Sequence, residues 1–412
     1  MSFFKRADIL LPADVPMEQW AVIACDQFTS DELYWKRVRD HAADAPSTLH
    51  MILPEAELGA AGEADRIKAI NEAMVAYLHE GIFEMYPQAY IYVERTLQNG
   101  TIRPGLVGMV DLDAYDYKPG SVSPIRATEK TVLERIPPRK RVRKDAALEF
   151  PHVLMLCDDD EKRLIEPIAA QKDGLPLLYD FDLMEQGGHI TGWLVQNAAA
   201  DAFDQRFAAF CADVPGKYGD LNGVPVVLAV GDGNHSLATA KSCYETLKEE
   251  NPGKDLSGWA ARYALVELEN IHDDAQVFEP IHRILLRVDG EKLLSDLRKL
   301  EGAEGFEIHF IHNGKEDSMI LDRAHGEMAV AILQPFLDAW LAEHGGQIDY
   351  IHGEEELRAL AQQAGSVGFL LPPMEKHELF RGVIAGGVLP RKTFSMGHAR
   401  EKRYYLEGRM IK

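Results

Sequence analysis

Cysteine is scarce: four residues in 412, Cys25, Cys157, Cys211 and Cys243, with no C-x-x-C pair among them. That excludes a disulfide scaffold and a thioredoxin-type redox motif. Cys157 and Cys211 stand in apolar runs and read as reduced core residues. Cys25, in Val22-Ile23-Ala24-Cys25-Asp26, is open to a reading as nucleophile, although a lone cysteine at a strand end more often packs. No run of about 18 apolar residues occurs, and Met1-Ser2-Phe3-Phe4-Lys5-Arg6 lacks a long apolar core, so a cytoplasmic protein without a membrane partner is expected. Cations are in deficit as well. With 44 Lys+Arg against 66 Asp+Glu the net charge is -22, and a nucleic-acid backbone would be repelled by most of such a surface. A small anion at a local basic site is compatible with it. Repeats and low-complexity segments are absent too.

What is there describes an ordinary globular chain, 46% hydrophobic and 27% charged, long enough for two or three domains. Alternating patterns predict an α/β fold of mixed α+β character, a mixed sheet with hairpins and flanking helices. A main domain is expected over 1–290, a smaller α/β subdomain over 291–365, and a C-terminal segment, 366–412, returning to the main domain. Strands are predicted for Trp20 to Cys25, Thr48 to Leu53, Phe150 to Cys157, Ala261 to Glu269 and Met328 to Leu333. Helices are predicted for Asp31 to His41 behind a Ser30 cap, around Ile67 to Leu78, and for Asp158 to Ala170 and Ala198 to Ala212. Asn99-Gly100 and Gly187-Gly188 each sit between two strand-like runs, the pattern of hairpins.

One stretch concentrates the chemistry: Val230-Gly231-Asp232-Gly233-Asn234-His235-Ser236. It follows the β-branched run Pro225 to Val230 and precedes a helical pattern from Leu237 to Lys248. Two glycines permit a tight turn with positive φ, and a strand turning into a helix leaves backbone N–H groups free for phosphate or carboxylate. Asp232 and His235 would flank that anion, one as metal ligand or base, the other as donor. Ordinary helix capping by Asp, Asn and Ser is the plainer alternative.

Two further stretches could meet phosphate. From Arg135 to Lys144 six of ten residues are cationic, in a chain otherwise strongly acidic. Pro137-Pro138 predicts a stiffened basic loop rather than a helix there, with Arg139 and Arg141 as candidate anion binders beside Arg126 and Lys130. Near the end, Lys392, Thr393 and Ser395 offer an ammonium and two hydroxyls, although the order is wrong for a P-loop. Asn270-Ile271-His272-Asp273-Asp274 and Glu279-Pro280-Ile281-His282-Arg283, the latter expected in a turn, lack the i, i+4 spacing of a zinc helix.

In combination these motifs resemble the family known as domain of unknown function 1015. Its hallmark is a strand ending in D-G-H-H-R before a helix, matched here by Asp232-Gly233-Asn234-His235-Ser236. Also similar are the Cys25-Asp26 loop, the E-K-T part of an H-E-[RK]-T box at Glu129-Lys130-Thr131, Pro280-Ile281-His282-Arg283, and Pro390-Arg391-Lys392-Thr393. The box is similar to that of the ParB-like fold and of free-serine kinases, which use a glutamate base. The resemblance implies Asp232 and His235 as box residues and Glu129 as a candidate base. Asn234 and Ser236 depart from the box, and Ser236 removes the arginine that would hold phosphate.

The leading expectation is therefore a nucleotide-dependent phosphotransferase acting on a small hydroxyl-bearing metabolite, with serine as a candidate and ATP or ADP with Mg2+ as cofactor. Glu129 would be the base, and Asp232 the metal ligand or second acid. Arg126, Lys130, Arg139, Arg141, Lys392 and Thr393 would meet phosphate, with Gly231, Gly233, Asn234 and Ser236 forming the turn. The alternatives are a non-catalytic binder of a nucleotide or phosphometabolite, and a hydrolase using a metal held by Asp232, His235 and His272. The single-site version expects Glu129, Asp232, His235 and Lys392 around one pocket.

Overall fold

The computed structural model describes residues 3–29, 31–221, 224–326 and 328–412. They form two compact units, one of Met1–Ala127, Thr131–Gln276 and His398–Lys412, the other of Thr128–Lys130 and Val277–Gly397.

In the first unit the main strands, apart from several of two residues, are β1 (Ala7–Pro12), β2 (Phe83–Thr96), β3 (Ile102–Asp111), β4 (Ile125–Ala127), β5 (Leu154–Cys157), β6 (Leu177–Asp182), β7 (His189–Val195), β8 (Leu228–Asp232) and β9 (Tyr263–Asn270). The main helices are α1 (Glu32–Ala42), α2 (Glu63–His79), α3 (Ile136–Arg143), α4 (Asn197–Lys217) and α5 (Asn234–Glu250). One mixed sheet runs β6-β7-β2-β3-β9-β5-β8-β4, with β1 added against β2. Pairing is antiparallel from β6 to β9, parallel for β9 with β5 and β8 with β4, and antiparallel between β5 and β8. Both hairpins expected at Asn99-Gly100 and Gly187-Gly188 are present as β2–β3 and β6–β7. Along α4, Ala200, Phe203, Phe207, Phe210 and Val214 are buried at helical spacing; each such phenylalanine contributes roughly 1.5–3 kcal/mol by leaving water.

The second unit has β10 (Phe278–Leu286), β11 (Gly305–His312), β12 (Lys315–Asp322), β13 (Gln347–His352), β14 (Ser366–Leu370) and β15 (Phe394–Met396), with helices α6 (Gly290–Leu297), α7 (Ala329–His344), α8 (Glu354–Leu360) and α9 (Lys376–Gly386). Its sheet runs β12-β11-β14-β10-β13, with β15 against β10, all antiparallel. Because β10 and β14 are neighbours in one sheet, the break expected at 290 falls inside this unit, and the chain returns to the first unit only after Gly397.

Several local expectations are corrected. Thr48–Met51 is a 3-10 turn whose Ser47 side chain accepts from the Leu49 N–H, not a strand. Trp20 to Cys25 divides into a helical turn, Met17–Trp20, and a two-residue strand, Val22–Ile23. Of Asp158 to Ala170 only Glu166–Ala169 is α-helical. The Arg135 to Lys144 run is the helix α3, because prolines in a first turn remove N–H groups that have no intrahelical partner anyway. Met328 to Leu333 opens the helix α7, a short apolar run being ambiguous between the two periods. Glu279 to Arg283 lies in strand β10, not in a turn. The cap expected at Ser30 lies outside the described residues; the Asp31 side chain caps α1 by accepting from the Tyr34 N–H at 3.0 Å.

The C-terminal segment is held by buried charge. Arg403, from that segment, sets Nε 3.0 Å from Glu267 Oε2 of β9 and Nη2 2.7 Å from Glu407 Oε2. Beside them Arg103 of β3 pairs with Glu269 of β9 at 3.0 Å. Burial, reinforced by Glu267, pushes the Glu269 carboxyl up to about 7. A Cβ at Gly105 would overlap the Glu267 carboxylate, so the network also dictates the residue on the neighbouring strand. Trp20 Nε1 donates to the Leu406 carbonyl at 2.9 Å and Tyr404 Oη to that of Met184 at 2.8 Å. Replacing Arg403 by Met leaves two buried carboxylates without their shared cation. Urea unfolding is expected to show a loss of about 3–5 kcal/mol; a change under 1 kcal/mol, the range of about 0–1 kcal/mol typical of exposed pairs, would contradict the buried network.

Candidate functional site

Strand β8 is apolar through Val230 because it lies in the interior of the sheet, between β5 and β4. At its end the pairing with β5 shifts register between Val230 and Asp232, placing Gly231 at an irregularity. Only the second glycine takes positive φ. Gly233, at φ 79, is the N-cap of α5, and a Cβ there would stand 3.0 Å from Val153 Cα. The turn therefore needs glycine twice over, for conformation and for space.

No side chain caps α5. Its first-turn N–H groups and the positive end of its dipole face the turn, the arrangement that attracts anions. Asp232 accepts the Gly233 N–H through Oδ1 at 3.0 Å, and its Oδ2 lies 3.3 Å from Lys402 Nζ. His235 accepts the Val132 N–H on Nε2 at 3.2 Å, so its remaining ring proton belongs on Nδ1. Burial, aided by the cations Arg139 and Arg135, pushes the imidazole down to about 4, leaving it neutral near pH 7.

Ser236 Oγ lies 2.9 Å from His152 Nε2, and His152 Nδ1 lies 2.9 Å from Tyr405 Oη, which accepts the Cys25 N–H at 3.1 Å. For the adjacent Asp26, burial opposes ionisation, but His152, the Gln27 amide and Lys402 outweigh it and hold the carboxyl below its usual range. Burial and Asp26 push the Cys25 thiol up to about 12, which removes the thiolate a nucleophile would need. Asp26, His152, Lys402 and Tyr405 thus join the turn. Sequence reasoning missed three of these roles: Pro151-His152-Val153 read as strand, and Lys402 and Tyr405 lie in a tail with no motif. Cys25-Asp26 was visible through the family resemblance.

The remaining candidates are distributed. Arg126 is buried and donates to the carbonyls of Ser123 at 2.8 Å and Val224 at 2.7 Å, tying down its own loop. In α3, Arg139 pairs with Glu55 at 2.8 Å and Arg141 with Glu63 at 2.6 Å. In the second unit, Glu129 bridges to Leu389, and the Leu389 N–H donates to the Thr128 carbonyl at 2.7 Å, bringing the E-K-T and P-R-K-T motifs together. Arg283, fully buried, donates to the Lys392 carbonyl at 2.9 Å and stands over the Tyr350 ring at 5.3 Å; burial lowers its pKa to about 10. It supports a turn in which Lys392 takes φ 57 and Thr393 Oγ1 donates to the Pro390 carbonyl at 2.6 Å. Lys130 and Lys392 are exposed. Asp232, His235 and Ser236 therefore belong to the first unit, Glu129, Lys130, Lys392 and Thr393 to the second. His272 pairs with Asp158, and among the described residues no group of three or more His, Cys, Asp or Glu could hold a metal, which counts against the three-ligand set Asp232, His235 and His272.

The family described as "Protein of unknown function (DUF1015)" matches residues 9–379, and the chain belongs to that family. No curated protein matches the chain. Among solved structures it is similar to SbnI with C-terminal truncation from Staphylococcus aureus, at 14% identity over 71% of this chain and 83% of that one, TM-score 0.35. It is also similar to a free serine kinase in complex with AMP, at 10% identity over 72% and 90%, TM-score 0.37. A conserved hypothetical protein from Pyrococcus furiosus matches at 10% identity over 72% and 92%, TM-score 0.35. At such identities and TM-scores the likeness assigns neither reaction nor substrate.

The depressed His235 pKa has a consequence for stability. Between about 4 and 6.5 the unfolded chain binds a proton that the folded chain does not, so the contribution is complete above that window and is lost as pH falls through it. For this half-buried ring it amounts to roughly 1–2 kcal/mol. Urea unfolding across the window is expected to show a shallower pH dependence in His235→Asn than in the natural chain, and equal slopes would contradict the assignment. Gly233→Ala, tested the same way at neutral pH, is expected to cost about 1–3 kcal/mol.

Proposed function

We propose that the chain is a nucleotide-dependent phosphotransferase acting on a small hydroxyl-bearing metabolite, with serine the first candidate. The observation that carries the reading is the Asp232–Lys402 pair beside the α5 N-terminus, whose N-cap supplies no side-chain hydrogen bond. Phosphoryl transfer asks a protein for positioning, fixed positive charge and a carboxylate, with little covalent chemistry of its own. Helix N–H groups and a lysine supply the positive charge for a phosphate, and a neutral His235 can donate from Nδ1 without adding a competing cation. Lys402 takes the part that an arginine at position 236 would have had.

A Mg2+ carried by nucleotide phosphates needs only one or two protein carboxylates. Asp232 and Asp26, both under the influence of Lys402, fit that modest requirement and would hold it. When bound, the ion supplies charge neutralisation to the phosphates. Glu129 is proposed as the base that orients the substrate hydroxyl, on its residue type and its motif. The second reading, a non-catalytic nucleotide or phosphometabolite binder, uses the same turn and lysine but has no need of Glu129.

Purified protein incubated with ATP or ADP, Mg2+ and a set of hydroxyl metabolites including serine is expected to consume nucleotide and yield a phosphorylated product. Asp232→Asn is expected to lower kcat at least about a hundredfold. Glu129→Gln is expected to retain nucleotide binding and lose turnover; full turnover in that variant removes Glu129 as base. If the natural chain consumes no nucleotide but its Tm rises with one, the binder reading stands instead. Neither consumption nor a Tm shift contradicts both.

A further inference from the structure

Beneath the turn, within the first unit, lies a cavity of about 160 Å3. Its wall is mostly apolar, with Met51, Leu53, Met74, Leu148, Leu237 and Leu265 among the side chains that form it. The charged groups that reach it are already mated. Arg139 pairs with Glu55 at 2.8 Å, and Arg143 pairs with Glu149, which also holds Arg409 at 2.9 Å. A charged ligand would therefore face a low-dielectric wall with no uncommitted counter-ion, and a neutral one would not. Two uncharged polar elements also line it: Thr239, whose Oγ1 donates to the His235 carbonyl at 2.7 Å, and the chain Ser236, His152 and Tyr405.

The hydrogen-bond directions along that chain say what the polar element can accept. Tyr405 Oη takes the Cys25 N–H. With His152 Nε2 protonated, the ring donates to Ser236 Oγ, and Nδ1 lies within hydrogen-bond distance of the Tyr405 hydroxyl. The Ser236 hydroxyl proton is left to donate into the cavity. His152 and Tyr405 are both buried, at 7% and 4% exposure, and Ser236 is half-buried, so the groups that hold this donor are themselves shielded from water.

We propose that this cavity is a binding site for a small neutral molecule with an apolar body of about the size of a benzene ring and a single oxygen acceptor, a hydroxyl or carbonyl, directed at Ser236. An apolar protein cavity of about 150 Å3 accommodates benzene, which sets the size class. The site is separate from the proposed phosphate site and goes beyond the phosphotransferase reading. Ser236, Leu237, Thr239 and Ala240 on one face of α5 line the cavity, whereas Asp232 and the α5 N-cap define the anion turn. The substitution of Ser236 for the arginine of the family box thus acquires a role of its own: a short hydroxyl leaves the cavity open and provides its donor.

Phenol and benzene are the probes, titrated into the natural chain and followed by amide chemical shifts of Ala240 and Leu265. Both are expected to saturate. Ser236→Ala is expected to weaken phenol about tenfold, the effect of one lost hydrogen bond, while leaving benzene within about twofold. Ala240→Phe, which fills the cavity, is expected to abolish both, and Ala240→Ile provides a milder filling should the larger side chain prevent folding. Asp232→Asn is expected to bind both probes as the natural chain does, even if all nucleotide chemistry is lost, so the two proposals fail separately. Lack of saturation with both probes, unchanged phenol affinity in Ser236→Ala, or undiminished binding in a folded Ala240 variant would each overturn the proposal.

Discussion

Much of the first unit depends on one buried guanidinium, that of Arg403, set between Glu267 of the central sheet and Glu407 of its own segment. Taking three charges out of water is costly, and the arrangement is tolerable only while every partner is present. Its return lies in specificity of placement. With Arg403 locked to β9, the residues on either side of it have little freedom: Lys402 is delivered to Asp232, while Tyr404 and Tyr405 are turned to Met184 and His152. A segment remote in sequence from the D-G-N-H-S turn thus supplies its cation and the end of its hydrogen-bond chain.

The turn itself combines opposites. Asp232 brings a negative charge to a helix N-terminus, and Lys402 offsets it, so the position neither repels an anion strongly nor carries a large unbalanced charge. His235 could have added another cation, but burial, Arg139 and Arg135 keep it neutral. In α3, Arg139, Arg141 and Arg143 are bound to Glu55, Glu63 and Glu149, which explains how so basic a run sits in an acidic protein without forming a broad positive surface. On the far side of the same helical turn the polar chain through His152 ends at Ser236, so one short peptide serves two chemically different environments.

How much of this was legible in the sequence differs by element. The strand-turn-helix at Val230 to Ser236, both glycine-centred hairpins and the α/β character follow from periodicity and turn residues, which act locally. The helix α3 was misread because prolines were weighed as breakers without regard to position within the helix. The helix α7 and strand β10 were misread because short apolar or proline-containing runs take their structure from tertiary neighbours. At the site, Asp232 and His235 were legible from their spacing. Lys402, His152 and Tyr405 were not, since each is brought in by long-range packing and carries no local signature. The division of Glu129 and Lys392 from Asp232 and His235 between two units was equally invisible, because no composition shift marks the point where Thr128–Lys130 leaves the first unit.

The central claim, that Asp232, Lys402 and the start of α5 form a phosphate site, is tested most directly by calorimetric titration of ADP with Mg2+ into the natural chain and into Lys402→Gln. Saturable binding by the natural chain, weakened at least about tenfold in the variant and further weakened by added salt, is the result predicted. Equal affinity in the two proteins, or no binding by the natural chain, would contradict it.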